Sequence, residues 1–301
     1  MSRVRAFARA AISALALAVV AGGVMVGGAT ADEAPPRRVV SINLCTDQLA
    51  MLLAAPGQLV SVTYLAQDPS ASAMAEEAHA FPANRGLAEE IFLLEPDLVI
   101  AGTYTTRATV GLLRRLGVPV VEFAPANGLT DIGDRLAQMG AVLGREDAAA
   151  RVLATFNADL AAARITEGPR PEAATYYANS YTSGTGTLAS SVIEAAGLSN
   201  LGAALGIEGG GRLALETLVT ERPDLVITGR RFETPALAQE VLAHPALAAL
   251  QAEAGTAPVA DRDWICGTPR VLAAIRRLVA ARDAVLDPVL YPVLNPVLDP
   301  G

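Results

Sequence analysis

The side chains able to do covalent or metal chemistry are few in this sequence of 301 residues. There are two cysteines, Cys45 and Cys266, and two histidines, His79 and His244. Neither histidine has a second histidine or a cysteine at ligand spacing, so no zinc cluster is written here. Acid–base catalysis by imidazole has equally little to work with. No serine sits in a G-x-S-x-G elbow. Gly184-Thr185-Gly186-Thr187-Leu188-Ala189 fits the loose dinucleotide fingerprint, a weak pattern that reads better as a turn offering backbone amides to an anionic group. Gly209-Gly210-Gly211 reads as a flexible loop with no phosphate-binding lysine beside it. The residue types point to binding before catalysis.

The elements that must position these residues alternate in type. Arg38 to Leu44 reads as a buried strand, followed by a helix to Leu53 that Thr46 or Asp47 would cap. Strands are expected at Val60–Tyr64, Leu98–Ala101 and Val118–Phe123, with helices at Leu87–Leu94, Ala108–Leu116 and Leu129–Leu143. Such alternation indicates parallel α/β construction. Glu146 to Ile165 forms one long helical pattern without glycine or proline, broken at Gly168-Pro169-Arg170-Pro171. Strands then recur at Ala173–Ser180, Leu225–Thr228 and Val259, and helices at Ser190–Ala196, Pro235–Leu242 and Thr268–Leu286.

The two ends read differently. Residues 1–31 carry Arg3, Arg5 and Arg9, an apolar run from Ala10 to Val26, and Ala29-Thr30-Ala31. That is the form of a cleavable export signal, and with no cysteine at the cleavage site a lipid anchor is not expected. Its removal would take the formal charge from −8 to −11, and the chain has no lysine at all. An acidic surface argues against nucleic acid or an anionic membrane as partner. No second apolar stretch is long enough to span a bilayer, so no membrane insertion is expected after signal removal. Residues 287–301 place proline at every fourth position, which forbids a regular helix and suits an extended tail.

An internal echo is the most informative feature. Ala88 to Ile100 and Leu215 to Ile227 both contain Pro-Asp-Leu-Val-Ile, and each has a glutamate, Glu89 or Glu216, seven residues before the proline. One copy lies on each side of the long helical pattern. With Arg38-Val39-Val40-Ser41 near the start and Asp263-Trp264 leading through Pro269-Arg270 into the last helix, the chain resembles the cobalamin and ferric-siderophore class of periplasmic substrate-binding proteins of ABC importers. The resemblance covers roughly Arg38 to Leu286.

That resemblance implies an α/β fold of two lobes with mainly parallel sheets, joined by one rigid helix, with a ligand cleft between the lobes. The expected divisions are a leader at 1–31, a first lobe at 32–144, a linking helix at 145–167, a second lobe at 168–286 and the tail. It implies a monomeric periplasmic protein without enzymatic activity or resident cofactor. Such a protein captures a small-molecule chelate and delivers it to an ABC permease in the inner membrane. A ferric siderophore leads the expectation, with cobalamin and heme as the other chelates. Glu89 and Glu216 become the permease-docking residues by the family pattern. Loops after the carboxyl ends of the strands should line the cleft, bringing in Cys45, Tyr64, Arg85, Tyr104, Arg107, Tyr181, Arg231, Trp264 and Arg270. Cys45 and Cys266 would then face one gap from opposite sides. A disulfide between them stays open beside two buried thiols or a pair of soft ligands. The competing reading is an extracytoplasmic thiol or metal enzyme built on these same cysteines.

Overall fold

The computed structural model describes residues 34–229 and 236–287. Arg231, the export signal and nearly all of the proline-rich tail lie outside the described residues. In the first half β1 (Val39–Ser41), α1 (Leu44–Leu53), β2 (Leu59–Thr63), α2 (Ala75–Ala78) and β3 (Ala83–Asn84) come first. They are followed by α3 (Ala88–Leu93), β4 (Leu98–Gly102), α4 (Arg107–Arg115), β5 (Val120–Phe123) and α5 (Asp131–Leu143). These strands form a wholly parallel sheet in the order β3-β2-β1-β4-β5. Every residue of β1 and β4 is buried, as a parallel sheet covered by helices on both faces requires.

The long helix α6 (Glu146–Ala163) comes next. It stops two residues short of the expected end because Arg164 turns extended and the Ile165 amide donates to the Ala195 carbonyl at 2.9 Å. The second half contains β6 (Glu172–Tyr176), β7 (Tyr181–Ser183), α7 (Leu188–Ala195), β8 (Ser199–Asn200) and α8 (Leu201–Ala204). Then come β9 (Gly210–Arg212), α9 (Leu215–Glu221), β10 (Leu225–Thr228), α10 (Pro245–Glu253), β11 (Gly255–Pro258) and α11 (Leu272–Leu286). Strands β11-β10-β6-β8 make a second parallel sheet, and β7 with β9 an antiparallel ribbon. The fold is thus two parallel α/β sheets, one on each side of α6 in the chain, as the fold class expected.

The echo is a repeated construction. Its strands are β4 and β10, in different sheets, each paired with the first strand of its own sheet. Glu95 and Arg222 occupy the equivalent position before the proline and both take positive φ, 49° and 51°. A residue before proline is pushed out of the right-handed helix region, so α3 and α9 both end there. The aspartate one step after the proline then secures the neighbouring strand. Asp97 accepts from the Arg37 and Arg38 amides at 2.7 and 2.9 Å, ahead of β1. Asp224 accepts from the Glu172 amide at 2.7 Å, at the start of β6.

Several local expectations need correction. The cap of α1 is Asn43, which accepts from the Cys45 and Thr46 amides, so the helix starts before Thr46 and Asp47. The strand expected through Ser180 ends at Tyr176, because Asn179 and Ser180 take positive φ and turn the chain back into β7. The triple glycine supplies β9, and Gly210 is required there: a Cβ would sit 1.5 Å from the Tyr181 hydroxyl. The 184–189 turn does not offer its first amides, since Gly184 N donates to Gly209 O and Thr185 N to Ile207 O. Leu237–Ala243 is 3-10 helix, and Pro235 lies outside the described residues. The last strand ends before Val259. A 3-10 turn at Pro269–Val271 precedes α11.

Candidate functional site

The carboxyl ends of the two sheets converge. β1 runs through Asn43 into the first turn of α1, which carries Cys45, and β11 runs through a 3-10 turn at Asp261–Asp263 to Cys266. These cysteines form a disulfide, with Cα atoms 5.1 Å apart. The bridge therefore brings together the loop ends where open α/β sheets bind ligands. It engages both cysteines of the chain. No group of three or more His, Cys, Asp or Glu suited to a metal is present among the described residues.

Around this junction the expected site residues fall into two groups. Tyr64 directly follows β2 and is 55% exposed; Tyr104, in the loop after β4, is 88% exposed. Tyr181 opens β7 and is 46% exposed, its ring 6.4 Å from that of Tyr177. Arg85 follows β3 and Arg107 opens α4, both exposed. Only the Arg85 backbone is engaged, donating to Glu90 Oε2 at 2.8 Å. These five carry aromatic faces, hydroxyls and guanidinium groups at sheet ends, available to a ligand.

The second group is occupied within the protein. Trp264 is only 6% exposed and belongs to an apolar cluster with Leu129, Ile132, Phe156, Val192 and Ile275, so its ring is core. Arg270 Nη2 pairs with Glu77 Oε1 at 2.6 Å. Its neighbour Arg262 donates to the Pro69 carbonyl at 2.7 Å. The Arg270–Glu77 pair is nearly half exposed, so it contributes on the order of 0–1 kcal/mol; packing and the covalent bridge hold this edge.

Sequence reasoning missed the role of Asp47. Its side chain is buried in the first sheet, where Oδ2 accepts from the Thr63 hydroxyl at 2.5 Å and the Thr63 amide at 3.1 Å. Oδ1 has no partner, and neither do the side-chain nitrogen and oxygen of buried Gln48. Burial raises the Asp47 pKa from 3.8 to about 7, against the opposing hydrogen bonds of the Thr63 side chain, Ser41 and the Thr63 amide. With no cation among these partners, the carboxyl is held partly protonated near neutrality. Since Thr63 precedes Tyr64, Asp47 fixes the strand end that presents this tyrosine. The Tyr177 phenol is pushed strongly upward, by burial first and then by Asp261 and Tyr181, and stays neutral.

Glu89 and Glu216 are each the second residue of their helices, α3 and α9, and both are exposed. Acidic residues in a first helical turn are favoured by the macrodipole, which accounts for their helix-stabilising role at both places.

Comparison with known proteins places this geometry in context. The family model described as "Periplasmic binding protein" matches residues 39–255. A cobalamin-binding protein of Halobacterium salinarum is 30% identical over 206 residues, 65% of this chain. The chain spans 55% of the length of the curated relatives it matches. Among solved structures, the periplasmic heme-binding protein RhuT from Roseiflexus sp. RS-1, in apo form, is similar with a TM-score of 0.67 and 25% identity. That match covers 83% of this chain and 99% of the other. The periplasmic vitamin B12 binding protein BtuF of Vibrio cholerae shares the fold with a TM-score of 0.61 at 18% identity, covering 84% and 99%.

Proposed function

The chain belongs to the periplasmic binding protein family, and we propose that it captures a bulky, anionic metal chelate at the converging sheet ends for delivery to an ABC permease. The observation that carries this reading is the set Tyr64, Tyr104, Tyr181, Arg85 and Arg107, all surface-exposed at strand ends in the two halves of the chain that the Cys45–Cys266 bridge links. Aromatic faces and hydroxyls suit an organic chelator, and guanidinium groups suit its carboxylates or other anionic oxygens. A bare cation would call for clustered carboxylate or imidazole ligands instead. A ferric siderophore fits these residues, and the relatives named for heme and cobalamin extend the same class to other metal chelates. Lobes divided at 144 and 168, one docking glutamate on each (Glu89 and Glu216), and export by the leader at 1–31 complete the proposal.

The test is equilibrium binding to the purified, disulfide-intact chain of hemin, cyanocobalamin, a ferric hydroxamate complex and uncomplexed ferric ion. One chelate should bind one-to-one without turnover. The triple change Tyr64→Ala, Tyr104→Ala, Tyr181→Ala should weaken it at least tenfold, each lost aromatic anchor being worth about 1 kcal/mol or more. Saturable binding of ferric ion alone, or an unchanged affinity in the triple variant, would refute the assignment.

A further inference from the structure

A single segment, residues 261–270, reaches from the end of the second sheet to four different places in the first half of the chain. Cys266 is bonded to Cys45 in α1. Arg262 donates to the Pro69 carbonyl, and Arg270 pairs with Glu77 in α2. Gly267 lies so close to the loop before α5 that a Cβ there would sit 2.1 Å from Ala126 Cβ. The partners are separated in sequence by 193 residues for both arginine contacts and by 221 for the disulfide. Within it Asp263, Trp264, Cys266, Gly267 and Thr268 are buried, while Ile265 is 58% exposed.

We propose that residues 261–270 are an interlobe tether, with the Cys45–Cys266 bridge as its covalent member, that fixes the separation of the two sheet ends before any ligand arrives. The argument is mechanical. The chain already joins the two halves once, through α6. A hinge about that one connection would let the opposite edges part freely. A second, covalent connection at the sheet ends removes that freedom, because two bodies joined through α6 and again at the Cys45–Cys266 bridge cannot part at the sheet ends without breaking the bridge. Apolar packing of Trp264 and the close approach of Gly267 to Ala126 leave no slack in the second connection. What can still move is the set of exposed residues outside the bridge, Tyr64, Tyr104 and Tyr181. Ligand capture is therefore a matter of loops and side chains closing over a preset gap, which lowers the ordering cost of binding. The inference concerns the ligand-free chain and stands or falls independently of which chelate binds.

The experiment compares the ligand-free, full chain in its oxidised form with the same protein after reduction. A dithiol reagent supplies the two electrons and two protons that split the S–S bond into two thiols, and is itself oxidised to a disulfide. Small-angle X-ray scattering reads the overall size, and hydrogen exchange with mass spectrometry reads the segments. Reduction should enlarge the radius of gyration. It should also speed exchange in residues 261–270 and in the first turn of α1 by about tenfold or more, while β4 and β10 keep their protection. The variant Cys45→Ser, Cys266→Ser should behave as the reduced protein does, without the reagent. An unchanged radius and unchanged exchange in the segment would overturn the tether. So would loss of protection in both sheets at once, since the bridge would then be supporting each fold and not the spacing between them.

Discussion

Two sets of residues at the sheet ends are built in opposite ways. Along the bonded edge, Trp264, Cys266 and Thr268 are buried and the arginines 262 and 270 have partners inside the protein. At the other strand ends, Tyr64, Tyr104 and Tyr181 leave 46–88% of their surface in water, and Arg85 and Arg107 are exposed. The difference has a physical basis. A group whose hydrogen bonds and apolar contacts are satisfied within the chain has less to offer a ligand than one held in place by its strand end and left uncovered. The nearly half-exposed Arg270 lies between the two. Residues that the sequence pattern alone made look alike thus differ in how far the protein itself engages them.

The largest effect expected from breaking this contrast is at Trp264. If its ring belongs to the bonded edge, Trp264→Ala should cost about 3–5 kcal/mol of unfolding free energy, the usual range for emptying a buried indole site. Denaturant titration of the oxidised protein measures this. A loss below about 1 kcal/mol, coupled to a large loss of chelate affinity, would move the tryptophan to the recognition edge.

A smaller effect is expected at Asp47, which lies between the edges, two residues after the bridging Cys45 and bonded to the residue before Tyr64. Its folded pKa of about 7 exceeds the ordinary 3.8. Between those values the folded chain keeps a proton that the unfolded chain has lost. Stability from this group is therefore fully present below about pH 4, declines as pH rises, and levels off above about pH 7. The swing is at most about 4 kcal/mol at roughly 1.4 kcal/mol per pKa unit. Asp47→Asn retains an acceptor for the Thr63 amide without the charge. It should flatten the stability profile between pH 4 and 8 and leave the variant more stable than the parent at pH 8. A parent profile that rises with pH across this window would contradict the buried neutral carboxyl.

The smallest effect on binding is expected from Glu89→Ala together with Glu216→Ala. Both side chains are exposed in first helical turns, outside both groups of residues. Chelate affinity should change by less than about twofold, as exposed charges separate from a site generally allow, while delivery to a reconstituted permease falls. A parallel loss of affinity would mean that recognition extends onto α3 and α9.

Much of the architecture was written locally. The alternation of apolar runs with helical periods specified parallel sheets, and the echo named two strands that occupy equivalent places in different sheets. It could do so because the proline ends each helix within a few residues of the strand that follows. The aspartate after it bonds the entry of the neighbouring strand more than fifty residues earlier. The α1 cap was misplaced by a few positions because asparagine, threonine and aspartate in Asn43-Leu44-Cys45-Thr46-Asp47 can each act as caps, and only burial distinguishes them. The break at Ser180 was hidden because Asn179 and Ser180 are not glycines, yet take positive φ.

Type and position in the chain were enough to put Tyr64, Tyr104, Tyr181, Arg85 and Arg107 at strand ends, since strand ends follow from hydrophobic pattern and loops follow strand ends. They were not enough to tell these from Trp264 and Arg270, which meet the same criteria. What separates them is contact with residues distant in the chain, Glu77 for Arg270, 193 positions away, and the cluster around Ile132 for Trp264. The pairing of Cys45 with Cys266 has the same character. The sequence by itself determined two sheets, the helix between them and where the strands end, because short-range periodicity and turn chemistry act within the span of one element. Which of those ends are sealed and which stay open was decided only by tertiary structure, because burial and pairing depend on what the distant half of the chain brings to the same place.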